Sequence, residues 1–353
     1  MAGGRGERFW PLSNQHRPKQ LLSLTEDRSM LCVTIDRLEG YIPAERTVVV
    51  AGKNIEQAII DGCCLVKKEM LLCEPFGRNT CLAIGYTAVH LQKRDPNAIM
   101  VVLSADHLIE PAKMLTKTIK AGVKIAAEQD KLITIGIVPS RAETGYGYIE
   151  LSDEKWVVDG ITVCNVSAFK EKPRPTVAQE YYHGRRHLWN SGMFIWSINS
   201  ILSAFEKHMP EMHQELMEYA KTIGTPGEEA ACQKLYEEAE SISIDFAILE
   251  QADNVITLKG SFSWDDVGSW MALQRFMDVD KDNNVIIGNA VTMDTFESTI
   301  VNDGKGIIAA IGLSDIVVVR TGETIMVAHK TQLGKIKDLL AKMGADESQK
   351  KYL

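Results

Sequence analysis

The sequence lacks the features that would direct it to a membrane. Its apolar runs are short, such as 98–103 and 306–313, whereas a membrane-spanning helix needs about 20 apolar residues. The first ten residues include charged side chains, and they lack the apolar core of about 7–15 residues that marks a signal peptide. These absences predict a cytoplasmic protein that contacts no membrane.

Basic residues are not in excess, and no metal-binding cysteine pattern occurs. The 353 residues carry 47 acidic and 39 basic side chains, for a net charge of -8, which gives no counterion-release drive toward nucleic acid. The seven cysteines show neither a CxxC pair nor zinc-ligand spacing. We therefore expect no nucleic-acid partner, and we expect the cysteines to be reduced thiols, mostly in the core.

The composition and the hydrophobic pattern predict an α/β fold. Short β-branched runs at 47–52, 98–105 and 131–138 alternate with helical spacing at 55–70 and 111–129. This alternation predicts a Rossmann-like, mostly parallel sheet with helices on both faces. Two further helices are expected near 199–220 and 226–240.

The sequence pattern changes near residue 283. From there, short predicted strands rich in Gly, Asn and Asp replace the alternation of strands and helices, and a helical tail follows. We predict a domain of residues 1–282 and a small β-rich, β-helix-like domain of residues 283–353 that ends in a helix.

The start of the chain departs from the pattern of such sheets. A doubly wound sheet normally begins with an apolar strand that leads into the first glycine-rich loop, but Met1 lies almost inside that loop. We expect that a first strand precedes this sequence in the natural protein.

The segment 2–20 has the character of a phosphate-binding loop. Glycine allows backbone N–H groups to approach phosphate oxygens closely, and the cations Arg8 and Lys19 can neutralise a polyphosphate. The loop residues assigned to nucleotide binding are Ala2, Gly3, Gly4 and Gly6. The loop is neither a P-loop, since GK[ST] is absent, nor a dinucleotide fingerprint, since Phe9 stands at the third glycine position. A surface turn is the alternative.

Aspartates follow two apolar or aromatic stretches. Asp106 comes at the end of a predicted strand, where α/β sheets present ligands, and a carboxylate there suits Mg²⁺ or caps a helix. Asp265 and Asp266 are adjacent, so in extended backbone they point to opposite sides. One of them can therefore bind a metal while the other is structural.

These segments, with the rest of the chain, resemble the sugar-1-phosphate nucleotidylyltransferase family. The opening AGGRGERFWPLS…RPKQ is similar to the family's AGGxGxRxWPxS…PKQ. The further motifs that match in the family's order are EPFGRNT (74–80), VLSADH (102–107), ETGYGYI (143–149), FKEKP (169–173), WNSGMF (189–194) and WDDVGSW (264–270). Two departures are RNTCL in place of the family's RNTAP, and the absence of its first strand.

The resemblance implies a GT-A-like nucleotidyltransferase fold and the transfer of GMP from GTP to α-D-mannose 1-phosphate, giving GDP-mannose and pyrophosphate. It implies Mg²⁺ on Asp106 and Asp266, since the family's aspartate stands two residues before a glycine. Arg8 and Lys19 would hold the β and γ phosphates. It also suggests a homodimer. The length suggests an enzyme without the additional isomerase domain of some members.

The resemblance extends to substrate recognition. A carboxylate at Glu74 can accept both donors of the guanine edge, with Arg78 and Asn79 nearby on the nucleotide; a solvated glutamate is the alternative. For the sugar, Glu171 and Asn190 would bind hydroxyl groups. The other two residues assigned to the sugar phosphate are Gly147 and Lys172, although EKP on its own reads as a charged turn.

Three tryptophans, Trp10, Trp189 and Trp196, are expected in the core, and His107 is expected to hydrogen-bond Asp106. Alternative functions are transfer to another sugar or from another nucleotide, a nucleotide-sugar-dependent glycosyltransferase, and an inactive regulatory homologue. The glycosyltransferase is disfavoured because SAD at 104–106 has one carboxylate where a DxD triplet has two.

Overall fold

The computed structural model describes residues 1–4, 6–15, 17–24 and 28–353. Arg5, in the glycine-rich motif, lies outside the described residues. Within the described ranges, no helix has both the length and the apolar character needed to cross a membrane.

The secondary structure alternates as predicted in the first half of the chain and becomes strand-rich after residue 283. The helices are α1 Met30–Asp36, α2 Glu56–Gly62, α3 Asn79–Arg94, α4 Ala112–Glu128, α5 Pro175–Gly184, α6 Ile198–His208, α7 Pro210–Ala220, α8 Glu228–Glu238 and α9 Ile336–Gly344. The strands are β1 Val49–Gly52, β2 Leu71–Glu74, β3 Ile99–Val102, β4 Leu108–Glu110, β5 Leu132–Ile137, β6 Tyr148–Val158, β7 Ile161–Lys170, β8 His187–Ser197, β9 Val255–Gly260, β10 Ser263–Asp265, β11 Val285–Ile287, β12 Ala290–Met293, β13 Thr299–Asp303, β14 Ile308–Ile311, β15 Ile316–Thr321 and β16 Thr324–His329.

A six-stranded sheet with the order β3-β8-β5-β9-β7-β6 forms the centre of the larger domain. β5 and β9 are parallel, whereas β8 runs antiparallel to its neighbours β3 and β5, and β7 runs antiparallel to β9 and β6. Four strands therefore share one direction, and β8 and β7 run the other way. The α/β class with strands mostly in one direction is confirmed, although the two reversed strands lie between the others.

Helices cover both faces of this sheet. On one face, α3, α6 and α8 contribute Ile84, Phe205 and Tyr236 to one hydrophobic core. On the other face, α4 contributes Leu115 and Ile119 to a second core with β5 and β9. The helix predicted over 199–220 is divided into α6 and α7 because Pro210 cannot continue a helix.

β1 and β2 form a separate parallel pair, and the first two residues lie between that pair and β3. The N–H of Ala2 donates to the Val50 carbonyl at 2.7 Å, and the N–H of Ala105 donates to the Met1 carbonyl at 2.9 Å. The Met1 amino group donates to the Leu103 carbonyl at 2.7 Å. These bonds hold the start of the chain at the carboxyl ends of β1 and β3.

The C-terminal region is built of stacked coils. β11, β13 and β15 are parallel and in register, and β12 stacks on β14 in the same way. Successive strands of a stack are one coil apart, as in a β-helix. The predicted β-helix-like domain with a final helix is confirmed, while its exact boundary at residue 283 stays a prediction.

The prediction that all cysteines are reduced is wrong for one pair. Cys32 of α1 and Cys63, directly after α2, form a disulfide with a Cα–Cα separation of 5.6 Å. The two cysteines are 31 residues apart in the sequence, so their spacing gave no indication that they pair. The bond joins two short helices that both contact the Lys19–Leu21 turn.

Candidate functional site

The glycine-rich loop packs closely against Lys19. Gly6 has a φ of 61°, and a Cβ added there would lie 2.6 Å from the Lys19 Cβ and 2.9 Å from the Lys19 N. Any larger residue would therefore displace the lysine backbone. Gly3 and Gly4 are exposed on the same loop, so their N–H groups are accessible to a ligand.

Lys19 joins the two predicted metal-binding aspartates. Its side chain is buried, and its Nζ donates at 2.6 Å to Asp106 Oδ2 and at 2.6 Å to the backbone carbonyl of Asp266. The ammonium group thus lies between the two residues that the sequence singled out 160 residues apart. These two hydrogen bonds hold the Lys19 ammonium group next to Asp106 and Asp266, near the carboxyl end of β3.

Asp106 remains ionised in this setting. Burial raises its pKa, but the Lys19 ammonium group and His107 act in the opposite direction, so the net pKa is below its ordinary value. The predicted hydrogen bond between His107 and Asp106 is wrong, because His107 Nε2 and Asp106 Oδ1 are 4.0 Å apart. His107 Nδ1 instead accepts a hydrogen bond from the Trp264 indole at 3.2 Å.

The adjacent aspartates have separate partners. Both oxygens of Asp265 are bound by Arg275, whose Nε and Nη2 donate at 2.5 and 2.7 Å. Asp266 Oδ1 accepts from the Tyr146 hydroxyl at 2.7 Å and from the Gly268 N–H at 3.1 Å. Asp265 is therefore engaged in a structural ion pair, while Asp266 faces the lysine and the tyrosine.

A basic cavity of about 300 Å³ opens beside this lysine. Its lining consists of Gly6, Glu7, Arg8, Phe9, Lys19, Gly268 and Lys337 of α9. Three cations from three segments therefore face one cavity, which suits a polyphosphate. Lys337 was missed by the sequence reasoning because nothing in its local sequence marks it.

Glu74 ends β2 next to the same loop. The residue is 5% exposed, and its Oε1 accepts a hydrogen bond from the Tyr236 hydroxyl at 3.1 Å. Its Oε2 would be 3.7 Å from a Cβ added at Gly3. Burial raises the pKa of Glu74, while the bond from Tyr236 opposes the shift. The buried, hydrogen-bonded position rules out the alternative of a solvated glutamate.

Arg78 and Asn79 follow Glu74 but have local partners. Arg78 Nε donates to the Tyr236 carbonyl at 2.7 Å and its Nη2 to the Glu237 carbonyl at 3.1 Å. Asn79 adopts a φ of 67°, and its side chain accepts from the Thr80 N–H at 2.9 Å. The assignment of both residues to the nucleotide stays a prediction.

The predicted sugar-binding residues meet at a second cluster. The Asn190 N–H donates to the Gly147 carbonyl at 2.8 Å. A Cβ added at Gly147 would lie 2.5 Å from Glu171 Oε2, so a larger residue there would displace the Glu171 carboxylate. Lys172 pairs with Glu171 at 2.8 Å, but its side chain is largely exposed.

Asp245 completes this second cluster and was not predicted. Asn190 Nδ2 donates to Asp245 Oδ1 at 2.6 Å, which fixes the amide orientation. Burial raises the pKa of Asp245, and the Asn190 hydrogen bond opposes that shift. The residue begins a π-helical turn, Asp245–Leu249, and such turns are frequent at functional sites.

Tyr146 links the two clusters. Its hydroxyl binds Asp266, and the next residue, Gly147, contacts Glu171 and Asn190. Consecutive Cα atoms are about 3.8 Å apart, so the cluster around Lys19 and the cluster around Asn190 flank one short segment.

The chemistry and number of the carboxylates of Asp106 and Asp266 are compatible with a magnesium ion that is shared with a ligand. Within the described ranges, no three His, Cys, Asp or Glu side chains are grouped so that they could hold a metal. Mg²⁺ is typically held through one or two carboxylates together with substrate phosphate oxygens. Asp106 and Asp266 supply that number of carboxylates, and a polyphosphate bound in the neighbouring basic cavity would supply the phosphate oxygens.

Comparison with protein families gives two matches. A model described as nucleotidyl transferase matches residues 1–283, and one described as MannoseP isomerase/GMP-like beta-helix domain matches residues 288–343. Together they cover both regions of the chain.

Individual relatives match over nearly the whole chain. Mannose-1-phosphate guanylyltransferase from Escherichia coli K12 is 31% identical over 354 residues, which is 98% of this chain and 73% of the relative. Mannose-1-phosphate guanylyltransferase 2 from Escherichia coli O157:H7 is 32% identical, over 96% of this chain and 72% of the relative. A crystal structure from Thermus thermophilus, described as a mannose-1-phosphate geranyltransferase, superposes with a TM-score of 0.86 at 32% identity and covers 97% of both chains.

Proposed function

Because the chain belongs to the nucleotidyl transferase family, and is thereby a sugar-1-phosphate nucleotidyltransferase, we propose that it transfers GMP from GTP to α-D-mannose 1-phosphate and releases pyrophosphate. The observation that carries the proposal is the pair of clusters joined at Tyr146 and Gly147. One cluster offers cations and carboxylates for a polyphosphate, and the other offers hydroxyl-binding groups for a sugar.

The proposed reaction is an in-line displacement. An oxygen of the sugar phosphate attacks the α-phosphorus of GTP, a new P–O bond forms, and the bond to the β-phosphate breaks so that pyrophosphate leaves on the opposite side. Because the nucleophile is already an anion, the reaction requires no general base and no covalent intermediate. The protein contributes position and charge neutralisation.

We assign the roles of the residues on the basis of their contacts. Arg8 and Lys19 face the basic cavity, so we assign them to the β and γ phosphates and to the leaving charge. Asp106 and Asp266 would hold Mg²⁺, which would supply charge neutralisation at the transferred phosphate. Glu171 and Asn190 would bind the sugar hydroxyls, and the backbone of Gly147, which lies beside both residues, would lie against the sugar.

Glu74 supports guanine as the base. Guanine presents adjacent N–H donors on its Watson–Crick edge, and a carboxylate can accept both, whereas uracil and thymine favour an amide. The Tyr236 hydroxyl occupies one side of Oε1 and orients the carboxylate beside Gly3 of the loop. The buried carboxylate therefore favours GTP over the pyrimidine nucleotides.

The test is pyrophosphate release by the purified protein with Mg²⁺ and mannose 1-phosphate, across GTP, ATP, UTP, CTP and dTTP. We expect release with GTP alone. Release with a different nucleotide would retain the mechanism and remove the base-reading role of Glu74. Replacing mannose 1-phosphate by other sugar 1-phosphates in the same assay tests the sugar.

Removal of either bridging partner should abolish most of the activity. Lys19→Ala and Asp106→Asn are each expected to lower kcat by about 10²-fold or more, because each removes charge stabilisation of the transition state. Lys53→Ala is the matched control, since this lysine pairs with Glu229 on the surface. Near-normal turnover in both variants, with circular dichroism spectra like that of the parent, would disprove these assignments.

A further inference from the structure

Arg78 lies against the carboxyl end of helix α8. Its Nε donates to the Tyr236 carbonyl at 2.7 Å, and its Nη2 donates to the Glu237 carbonyl at 3.1 Å. Because α8 ends at Glu238, both carbonyls belong to the last turn, where backbone oxygens have no partner inside the helix. The positive guanidinium group also complements the negative end of the helix dipole. Arg78 therefore fixes the position of the end of α8.

Two aromatic side chains hold Tyr236 of α8 in place. The ring of Phe76, which precedes Arg78 by two residues, meets the Tyr236 ring nearly at right angles, with the centroids 6.1 Å apart. Tyr86 of α3 meets Tyr236 in the same way at 5.7 Å. The Arg78 guanidinium carbon lies 5.2 Å from the centroid of the Phe76 ring. Since Tyr236 is fully buried, these contacts and the position of α8 set the direction of its hydroxyl.

The Tyr236 hydroxyl connects α8 to Glu74. It donates to Glu74 Oε1 at 3.1 Å, and within the described ranges no other residue donates a hydrogen bond to this carboxylate. Burial and the neighbouring Glu74 carboxylate raise the pKa of Tyr236 well above its ordinary value, so the hydroxyl stays a donor. A buried carboxylate that loses its donor is destabilised in its original orientation. The orientation of Glu74 therefore depends on where α8 ends.

We propose that Arg78 is a positioning residue for base recognition, which holds the end of α8 so that Tyr236 keeps the Glu74 carboxylate oriented toward the base. The inference rests on the proposed reading of guanine by Glu74. It differs from a direct contact between Arg78 and the phosphates, because among the described residues Arg78 is not part of the lining of the basic cavity. Loss of Arg78 should therefore change which base is bound, and not only how tightly the nucleotide is bound.

The experiment measures the dissociation constants of GTP and inosine triphosphate (ITP) by calorimetry, with Mg²⁺ and without the sugar phosphate. The two nucleotides have the same phosphates, but ITP lacks the 2-amino donor of guanine. We expect the parent to bind GTP about tenfold or more tightly than ITP, because the 2-amino group donates to the Glu74 carboxylate. Arg78→Ala should lower this ratio to about threefold or less, mainly by weakening GTP. An equal loss for both nucleotides, as expected of a phosphate ligand, would overturn the proposal.

Two further variants test the chain of contacts. Arg78→Lys keeps the positive charge but lacks the planar fork that reaches two carbonyls, so the ratio should fall nearly as far as in Arg78→Ala. Tyr236→Phe removes only the hydroxyl, and it should lower the ratio to the same level. The double variant Arg78→Ala/Tyr236→Phe should lower it no further, because both changes break one set of contacts. Arg94→Ala is the matched control, since Arg94 also donates to a backbone carbonyl, that of Glu69 at 3.1 Å. A parent-like ratio in Arg78→Lys, or independent effects in the double variant, would contradict the proposal.

Hydrogen exchange measured by mass spectrometry tests the contact with α8 without any nucleotide. We expect faster exchange in segment 232–239 of Arg78→Ala than in the parent, while exchange in α6 stays the same and shows that the fold is retained. Unchanged exchange in 232–239 would overturn the proposal. Equal affinities of the parent for GTP and ITP would instead contradict the base-reading role of Glu74, and the exchange result would then decide separately whether Arg78 holds α8.

Discussion

At the scale of single residues, Asp245 acts by orienting the side chain of Asn190. Its carboxylate accepts from Asn190 Nδ2 at 2.6 Å, so Asn190 presents its amide in one fixed orientation to the sugar-binding cluster. A hydrogen bond contributes about 0.5–1.5 kcal/mol, and about 1.5–3 kcal/mol where one partner is charged. Since about 1.4 kcal/mol corresponds to tenfold in binding, the loss of this bond is large enough to measure in KM.

Asp245→Ala is therefore expected to raise the KM for the sugar phosphate about tenfold or more, with a smaller change in kcat. Asp245→Asn keeps an acceptor for the amide, so it should restore most of the affinity. Asp253→Ala, at an exposed aspartate paired with Lys207, is the control. If the alanine and asparagine variants have the same KM, the orientation of Asn190 does not determine sugar binding.

The predicted site residues that the structure places around Lys19 share a local cause. Asp106 ends a short apolar strand and Gly6 lies in a glycine-rich turn, so composition over a few residues was enough to mark them. Tyr146, Asp245 and Lys337 depend on contacts with residues far away in the sequence. The sequence near Asp245 contains no Gly or Pro, and its π-helical turn depends on packing that no local pattern encodes.

At the scale of elements, the order of the strands also could not be predicted from the local sequence. The runs that became β1, β3 and β5 were recognised from their β-branched residues. β7 and β8 contain mixed polar and apolar residues, and their reversed direction is set by pairing with strands that are distant in the chain. The Cys32–Cys63 disulfide was missed for the same reason, since it depends on how α1 and α2 pack.

The helical layer on one face of the sheet contains a buried titratable group. His90 of α3 lies 2.8 Å from the Tyr219 hydroxyl of α7 and 3.9 Å from Glu228 of α8. Burial lowers its pKa to about 4, while Glu228 raises it and Arg94 and Lys93 lower it. The imidazole is therefore neutral in the folded protein near neutral pH.

This shift predicts an acid-sensitive contribution to stability. Below about pH 6.5 the unfolded chain binds a proton that the folded chain excludes down to about pH 4. The free energy of unfolding should therefore fall across this window, by at most about 1.4 kcal/mol per pH unit. The contribution of neutral His90 to the free energy of unfolding is complete above about pH 6.5 and is lost below about pH 4.

His90→Gln keeps a hydrogen-bonding group that does not titrate, so urea unfolding measured from pH 7 to pH 4 should show a shallower slope than in the parent. His183→Gln, at an exposed position on α5, serves as the control and should follow the parent. If the free energy of unfolding has the same pH dependence in the parent and in His90→Gln, protonation of His90 does not destabilise the helical layer.

At the scale of the whole molecule, the glycine-rich loop is packed against the C-terminal domain. Phe9 and Trp10 share a hydrophobic core with Trp270, Val317 and Val319. The Trp10 indole also donates to the Tyr352 carbonyl at 2.9 Å. The β-rich domain therefore supports the loop that carries Arg8, in addition to stacking its own coils.

This packing brings a residue of the last helix to the basic cavity. Lys337 of α9 lines the cavity together with Arg8 and Lys19, and its Nζ is 3.9 Å from Glu7 Oε2. A third cation there would bind the terminal phosphates of the nucleotide in the ground state. Its contribution should therefore appear mainly in the KM for the nucleotide and in the inhibition constant of pyrophosphate, rather than in kcat.

Lys337→Ala is expected to raise both constants about three- to tenfold, consistent with the loss of one partly exposed charge contact of about 1 kcal/mol. Lys342→Ala removes an exposed lysine from the same helix and should leave both constants unchanged, which separates a local effect from a change in net charge. Thermal unfolding of the two variants should be similar, since neither side chain is in the core. If Lys337→Ala and Lys342→Ala have equal constants, the C-terminal domain supports the loop by packing alone; a selective effect of Lys337→Ala would mean that the domain also contributes a ligand to the nucleotide.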